Sequence, residues 1–329
     1  SFPGKLKPAI AHHLVDIFVP MNGKILDPFA GVGTIPFEAC MQGKVGMAFD
    51  ISPNGYIISD AKLKSNRANQ CFKVIQELEN HIGGGELESN ELDKAKNFGM
   101  NGTLEEYYEE ETLREIVKAR QYFNRKPLNK LSASEKLVMS SLLHILHGNR
   151  PYALSRRSHP ITPYAPKGEF EYRPLIPRLK EKVERSLTED LPSIFRQGEA
   201  YQVDSTRWWP TNIDSLNAVI TSPPFYNSTR YYTQNWLRLW FAGWEPNEFK
   251  EESSQFMGKQ QMDNFEAYKP VIRQAREKLK KGGILLFHLG KSSKKNMAKE
   301  IKKIGRKWFN QIDIFEENVE SLEKHGVED

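Results

Sequence analysis

Apolar positions recur three and four residues apart over Ala9–Phe18, where Ile10, Leu14, Ile17 and Phe18 fall on one face, and this spacing predicts a short amphipathic helix. Pro20–Gly23 breaks it. Lys24–Asp27 then reads as a short apolar strand, and Gly31-Val-Gly-Thr34 turns the chain into a helix whose apolar positions include Ile35, Phe37 and Ala39. A second buried strand, Lys44–Asp50, ends on an acid, and Pro53 stands at the start of a further helix that runs to about Asn66. Strand, glycine turn, helix and strand form a βαβ unit, which predicts a parallel sheet.

From about Arg67 to Leu146 the pattern is helical and highly charged, interrupted at Gly83-Gly-Gly85. Over Asn149–Pro177, Pro151, Pro160, Pro163, Pro166, Pro174 and Pro177 exclude long helices, and a loop of this length points to function or disorder. The α/β pattern resumes with Tyr201–Asp204, a strand ending in an acid, and Asn217–Thr221, a strand running into Ser222-Pro-Pro-Phe225. Phe265–Lys280 reads as an amphipathic helix closed by Gly282-Gly283, Ile284–Leu289 as a strand, Lys294–Lys307 as a basic helix and Ile312–Phe315 as a last strand. The expected fold is α/β, a Rossmann-like sheet with helices on both faces. It divides into residues 1–66 and 198–329 as one domain and 67–197 as a mainly helical insertion with a Pro-rich basic loop.

Composition adds limits. The 329 residues, 39% hydrophobic and 27% charged, are ordinary for a globular chain, and no apolar run approaches the roughly 20 residues that span a bilayer. No membrane partner and no secretory signal are expected, and the start on Ser1 admits a trimmed terminus. Cys40 and Cys71 are too few for a disulfide framework or a four-ligand zinc site, which fits a reducing cytoplasm, and no set of His, Asp and Glu has metal-ligand spacing. The formal charge of +5 permits a polyanionic partner without requiring one.

Two motifs carry chemistry. In Asp27-Pro-Phe-Ala-Gly-Val-Gly-Thr34, two glycines in a strand-to-helix turn let backbone N–H groups approach a ligand, and the helix start behind them favours a carboxylate. Asp50 at the end of the next strand can accept from both ribose hydroxyls, and Asp204 at the end of another can accept from an adenine amine; together they outline an adenosine pocket. In Thr221-Ser-Pro-Pro-Phe225 the two prolines stiffen an extended segment that offers carbonyls and no N–H of its own. Ser222 adds a hydroxyl acceptor and Phe225 a flat face on which a base can stack.

Asp27–Thr34 together with Thr221–Phe225 resembles the cofactor and catalytic motifs of the S-adenosylmethionine-dependent DNA amino-methyltransferases, the N4-cytosine and N6-adenine class. Phe2-Pro-Gly-Lys-Leu-Lys-Pro8 resembles that family's cofactor-side segment before the first strand, and the Ser-Pro-Pro-Phe form is similar to its N4-cytosine members. The resemblance covers roughly residues 1–66 and 200–315. It implies that Phe2, Pro3, Lys5, Asp27, Pro28, Phe29, Ala30, Gly31, Gly33, Thr34, Asp50, Ile51, Asp204 and Ser205 hold S-adenosylmethionine, and that Ser222, Pro223, Pro224 and Phe225 form the catalytic segment. The insertion between the motifs is implied to read DNA, in a prokaryotic cytoplasmic setting where a cognate restriction endonuclease is a further implied partner. The family's sheet ends in an antiparallel hairpin, of which the sequence offers only the first strand, Ile312–Phe315.

The implied reaction moves a methyl group onto the exocyclic amine of a flipped base, cytosine N4 being favoured, with Ser222 and the Pro223 carbonyl accepting the amine protons. A C5-cytosine route, which needs a cysteine nucleophile, finds none suited. Candidate nucleic-acid contacts are Tyr226, Arg230, Tyr231 and Tyr232 after the catalytic motif, and Arg150, Arg156, Arg157, His159 and Lys167 on the Pro-rich loop, with Ser155 and Ser158 interleaved. Alternatives are an N6-adenine DNA enzyme, an RNA base methyltransferase, or a DNA-binding subunit without activity. A nicotinamide dehydrogenase is disfavoured, because Phe37 lies beyond the second glycine and no third glycine follows.

Overall fold

The computed structural model describes residues 6–84, 87, 89–148, 150–157, 166–226, 231–290 and 295–315. Five parallel strands form one sheet: β1 (Lys24–Asp27), β2 (Val45–Asp50), β3 (Glu199–Gln202), β4 (Leu216–Thr221) and β5 (Leu279–Phe287), in the order β3-β2-β1-β4-β5. Ile25 pairs with Ala218 and Gly46, so β1 lies between β2 and β4. The chain first winds outward from β1 to β3 and then returns to place β4 on the other side of β1. That reversal opens a crevice at the carboxyl ends of β1 and β4, the usual ligand position in open α/β sheets.

Helices cover both faces, as expected. On one face α1 (Pro8–Phe18) and α2 (Thr34–Met41) bury Ala11, Val15, Ile35 and Ala39 against Ile25, Ala218 and Ile220. On the other, the helices Lys269–Lys278 and Met297–Gly305 bury Val271, Ile272, Met297 and Ile301 against Leu26, Phe49 and Val219. Neighbouring strand residues thus point to opposite faces and are apolar on both, the pattern of a covered parallel sheet. A third helix, α3 (Pro53–Lys62), begins on Pro53 with the Ser52 side chain accepting from the Gly55 N–H at 3.2 Å.

The segment 67–197 is helical as expected, with helices Ala68–Gly84, Glu110–Asn124, Ala133–Ile145 and Leu175–Leu187. Ser132 and Glu135 cap the third of these reciprocally. Its core is continuous with the sheet domain, since Ile57 of α3, Leu142, Leu175 and Trp236 belong to one buried cluster. Lys136 also reaches across to α3, donating to Asp60 Oδ2 at 2.8 Å and to the Tyr56 hydroxyl at 2.7 Å with both charged side chains buried.

Several sequence-based boundaries are corrected. The α3 helix ends at Lys62, and Asn66 folds back to donate to the Ala61 carbonyl. Pro177 lies inside the first turn of Leu175–Leu187, where its missing N–H is not needed. Strand β3 stops at Gln202, because Asp204 turns the chain by accepting from the backbone N–H and hydroxyl of Thr206. The segment 265–280 is a 3₁₀ turn followed by Lys269–Lys278, and β5 takes in Gly282 and Gly283 with a register shift against β4. The basic helix spans Met297–Gly305. Ile312–Phe315 is not a strand: Ile312 and Phe315 are exposed, and β5 pairs only with β4 among the described residues. No helix among the described residues is long and apolar enough to cross a membrane.

Candidate active site at the sheet switch point

The glycine turn is built backwards from the acids. Gly31 and Gly33 both have positive φ, 53° and 71°, a region that strains other residues. A side chain on Gly33 would lie 2.8 Å from the Ser59 hydroxyl, whereas one on Gly31 would project into open space. The turn is held by Ser59, whose hydroxyl donates to the Gly31 carbonyl at 2.9 Å, and by Asp50, whose Oδ2 accepts from the Gly31 N–H at 2.8 Å. Gly33 is the N-cap of α2 and has no side chain with which to cap the first-turn N–H groups.

Asp50 is a hub. Its Oδ1 accepts from the Ser52 N–H at 2.8 Å and from the Ser52 hydroxyl, and its Oδ2 accepts from Gly31. With roughly two acceptor positions per carboxylate oxygen, Oδ2 retains one. The expectation that Asp50 accepts from both ribose hydroxyls therefore narrows to one. Burial raises its pKa to about 6, against the lowering effect of these hydrogen bonds. Beside it, Asn54 Oδ1 is a buried acceptor without a partner among the described residues.

Asp27, at the end of β1, is buried and joins the two motifs. Its Oδ1 accepts from the Phe29 N–H at 3.0 Å and from the Thr221 hydroxyl at 2.5 Å, so the residue before Ser222 is tied to the residue that opens the glycine turn. Burial raises its pKa to about 7, opposed by these two bonds and reinforced by the charge of Asp50. Asp204 lies past β3 and is engaged by Thr206 on Oδ1 and by Arg207 at 3.2 Å on Oδ2. Ser205 is buried, and its hydroxyl donates to the Pro28 carbonyl at 2.5 Å. The three acids therefore line neighbouring strand ends, with Ser205 bracing the first loop. Pro28 and Ala30 are buried, Phe29 meets Tyr268 edge-on at 6.0 Å, Thr34 is half-buried in the first turn of α2, and Ile51 packs partly against the insertion core.

On the acceptor side, Ser222 and Phe225 are half-buried and Pro223 is buried. Gln261 donates to the Pro224 carbonyl at 3.0 Å and the Phe225 carbonyl at 3.3 Å, and its own Oε1 is held by the Tyr268 hydroxyl at 2.9 Å. No hydrogen bond among the described residues goes to the Pro223 carbonyl, so of the three carbonyls it is the one left to accept from a ligand. Ser222 Oγ lies 3.3 Å from His288 Nδ1, and the His288 N–H donates to the Thr221 carbonyl at 2.8 Å. Gln261 and His288 were missed in the sequence. His288 directly follows β5, a position that in a parallel sheet shares the carboxyl edge with Ser222; Gln261 gave no such signal.

The expected nucleic-acid residues divide. Arg150, Arg157 and Lys167 are exposed, and the Lys167 N–H donates to the Arg157 carbonyl at 3.0 Å, bringing the last two together. Arg156 is instead a brace: its guanidinium donates to the carbonyls of Gly168 and Glu106 and covers the Phe170 ring at 3.9 Å. Ser155 is buried against His147, Oγ to Nδ1 at 2.8 Å, and so is removed from any phosphate. Tyr226 stacks on Phe265 at 5.5 Å beside a polar recess of about 150 Å³ that Gln261, Asp263, Asn264 and Lys295 also line. Tyr231 turns inward, its hydroxyl 3.2 Å from Ser52 Oγ and 3.3 Å from Asn54 Nδ2, and so belongs to the glycine-turn side of the site. Tyr232 packs near Phe256. Phe2, Pro3, Lys5, Ser158, His159 and Arg230 lie outside the described residues.

Residues 1–108 match the family model described as RMKL-like, methyltransferase domain, and no curated protein matches the chain. The matched span holds β1, the glycine turn, β2 and α3 and runs past Asn66 into the helical segment; Ser222 and His288 lie beyond it. The match supports methyl transfer as the chemistry of the domain.

Proposed function

We propose that this protein transfers a methyl group from S-adenosylmethionine to the exocyclic amine of a nucleic-acid base, cytosine N4 in DNA being the favoured acceptor. The observation that carries the reading is the Asp27–Thr221 hydrogen bond, which fastens the glycine turn to the Ser-Pro-Pro-Phe segment across the switch point. One motif suits a nucleoside with a carboxylate, the other an amine, and the fold makes them adjacent. The residues present fit the cofactor: the space over Gly31, the remaining acceptor position of Asp50, the Asn54 Oδ1 that has no partner among the described residues and the uncapped start of α2 are what a ribose and a carboxylate would use. When bound, S-adenosylmethionine supplies an electrophilic methyl group on a sulfonium.

The protein's part is orientation. An aromatic amine is a weak nucleophile because its lone pair is delocalised into the ring. Ser222 Oγ and the Pro223 carbonyl accept its two protons, which localises that pair, while Phe225 offers a face for the base. Gln261 donates to the neighbouring carbonyls of Pro224 and Phe225, which leaves the Ser222 hydroxyl and the Pro223 carbonyl as the acceptors of the segment without a donor bond of this kind among the described residues. Arg150, Arg157 and Lys167, exposed on the Pro-rich segment, supply phosphate contacts, and a base in duplex DNA must leave the stack to reach the site.

The test is transfer of labelled methyl from S-adenosylmethionine to unmethylated genomic DNA and to total RNA, followed by nucleoside mass spectrometry. N4-methylcytosine in DNA, lost in Ser222→Ala, is the expected result. N6-methyladenine would keep the chemistry and change the base, label in RNA alone would change the polymer, and no label despite cofactor binding would refute the proposal.

A further inference from the structure

We infer that His288 is a positioning residue for the acceptor amine: its Nδ1 accepts the Ser222 hydroxyl hydrogen and thereby aims the Ser222 oxygen lone pairs at the amine. This rests on the reading of Ser222 as the amine's acceptor. A serine hydroxyl rotates freely and carries one donor with two acceptor positions. With its hydrogen directed at the incoming amine it would oppose the N–H it is meant to accept. A fixed acceptor for that hydrogen resolves this, and His288 Nδ1, 3.3 Å from Ser222 Oγ, is in place to be that acceptor.

The placement of His288 is built into the sheet. Thr221 pairs with Phe287 at the carboxyl end of β4 and β5, and the His288 N–H extends that ladder by donating to the Thr221 carbonyl at 2.8 Å. Thr221 is itself anchored to Asp27. The imidazole therefore stands beside Ser222 on a backbone whose position the glycine turn shares. Two residues on, Gly290 lies so close to Phe225 that a side chain there would come within 2.5 Å of the ring, and the His288 and Phe225 rings lie 6.4 Å apart. Serine, imidazole and the stacking ring thus form one packed group at the end of β5, and the sequence motif by itself contains only the first and last of them.

The nitrogen that accepts from Ser222 is unprotonated, so the ring carries its proton on Nε2. After the N–C bond forms and the S–C bond breaks, the methylated amine loses a proton to solvent, with His288 acting through Ser222 and never on the methyl group itself.

The experiment compares wild type with His288→Ala and His288→Asn in single-turnover methyl transfer, alongside S-adenosylmethionine affinity by calorimetry and imidazole ¹⁵N shifts of the cofactor-bound protein. His288→Ala is expected to slow transfer about 10- to 100-fold, the scale of a misoriented reacting group, with cofactor affinity unchanged. Asparagine, whose Oδ1 can stand near the position of Nδ1, is expected to recover transfer to within about 3-fold of wild type, which a purely structural loss would not do. The ¹⁵N spectrum is expected to show His288 Nδ1 unprotonated and its shift altered by Ser222→Ala. A protonated Nδ1, a Ser222→Ala spectrum unchanged at His288, or His288→Ala transferring at the wild-type rate overturns the inference while leaving the amine methyltransferase intact. A wild type that binds S-adenosylmethionine but methylates neither DNA nor RNA overturns that reading, and the role of His288 with it.

Discussion

Replacing Asp27 with Asn removes a charge that the fold holds in a poor dielectric and keeps the geometry that the carboxyl supplies. The side chain is buried, and its Oδ1 already accepts from Phe29 and Thr221, bonds that an amide Oδ1 can also accept. Burial lifts its pKa from 3.8 to about 7, so between these values the folded chain binds a proton that the unfolded chain has released. Stability therefore falls as pH rises across that window and is flat above it. At about 1.4 kcal/mol per pH unit, the raised pKa costs about 4 kcal/mol at pH 8, where the buried carboxyl is ionised, and a little under 2 kcal/mol at pH 5, where the folded chain takes up a proton that the unfolded chain has released. An amide carries no such penalty, but burying its N–H hydrogens without a partner costs about 1 kcal/mol. Asp27→Asn is thus expected to raise stability by about 3 kcal/mol at pH 8 and by less than about 1 kcal/mol at pH 5. Urea denaturation at the two pH values, read as a shift in midpoint at constant slope, measures this. A gain equal at both values, or a loss at pH 8, would refute the reasoning, because it would mean that Asp27 is not held against its ionisation.

Three further outcomes follow from the same geometry. Lys136→Met leaves the buried Asp60 carboxylate without its cation and is expected to cost about 3–5 kcal/mol, whereas adding Asp60→Asn recovers much of it; urea unfolding of the single and double variants checks the coupling. Gly33→Ala, facing positive φ and the Ser59 hydroxyl together, is expected to lower stability by more than about 2 kcal/mol; Gly31→Ala pays about 1–2 kcal/mol for its φ alone and, with its methyl group in open space, mainly weakens S-adenosylmethionine binding, which calorimetry beside thermal melts separates. Arg157→Ala is expected to fold normally and reduce the salt dependence of DNA binding by about one counterion, while Arg156→Ala is expected to lower stability through the freed carbonyls of Gly168 and Glu106, as paired binding titrations and melts would report.

What the chain determined locally was read from it directly. The βαβ start, the glycine turn and the apolar runs of β1, β2 and β4 follow from periodicity and from residues with restricted backbones, so α1, β1, α2, β2 and β4 stand within a residue or so of expectation. Ser222-Pro-Pro-Phe225 and the acids Asp27 and Asp50 were legible for the same reason, since their positions at strand ends depend on neighbours a few residues away, whereas Asp204 was expected to end β3 and lies two residues past it. Where a contact between distant segments decided the outcome, the sequence was silent or misleading. The alternation at Ile312–Phe315 suggests a strand, but a strand exists only through a partner, and among the described residues it has none. Arg156 and Ser155 read as surface groups and are packing elements, because Glu106, Gly168 and His147 come to them from elsewhere in the chain. The joining of Asp27 to Thr221, 194 residues apart, and of Ser222 to His288 required the strand order β1-β4-β5, which no local pattern encodes. Local chemistry thus made the two motifs legible, but not Gln261 or His288. Only the sheet, by setting three separate strand ends side by side, decided which groups meet.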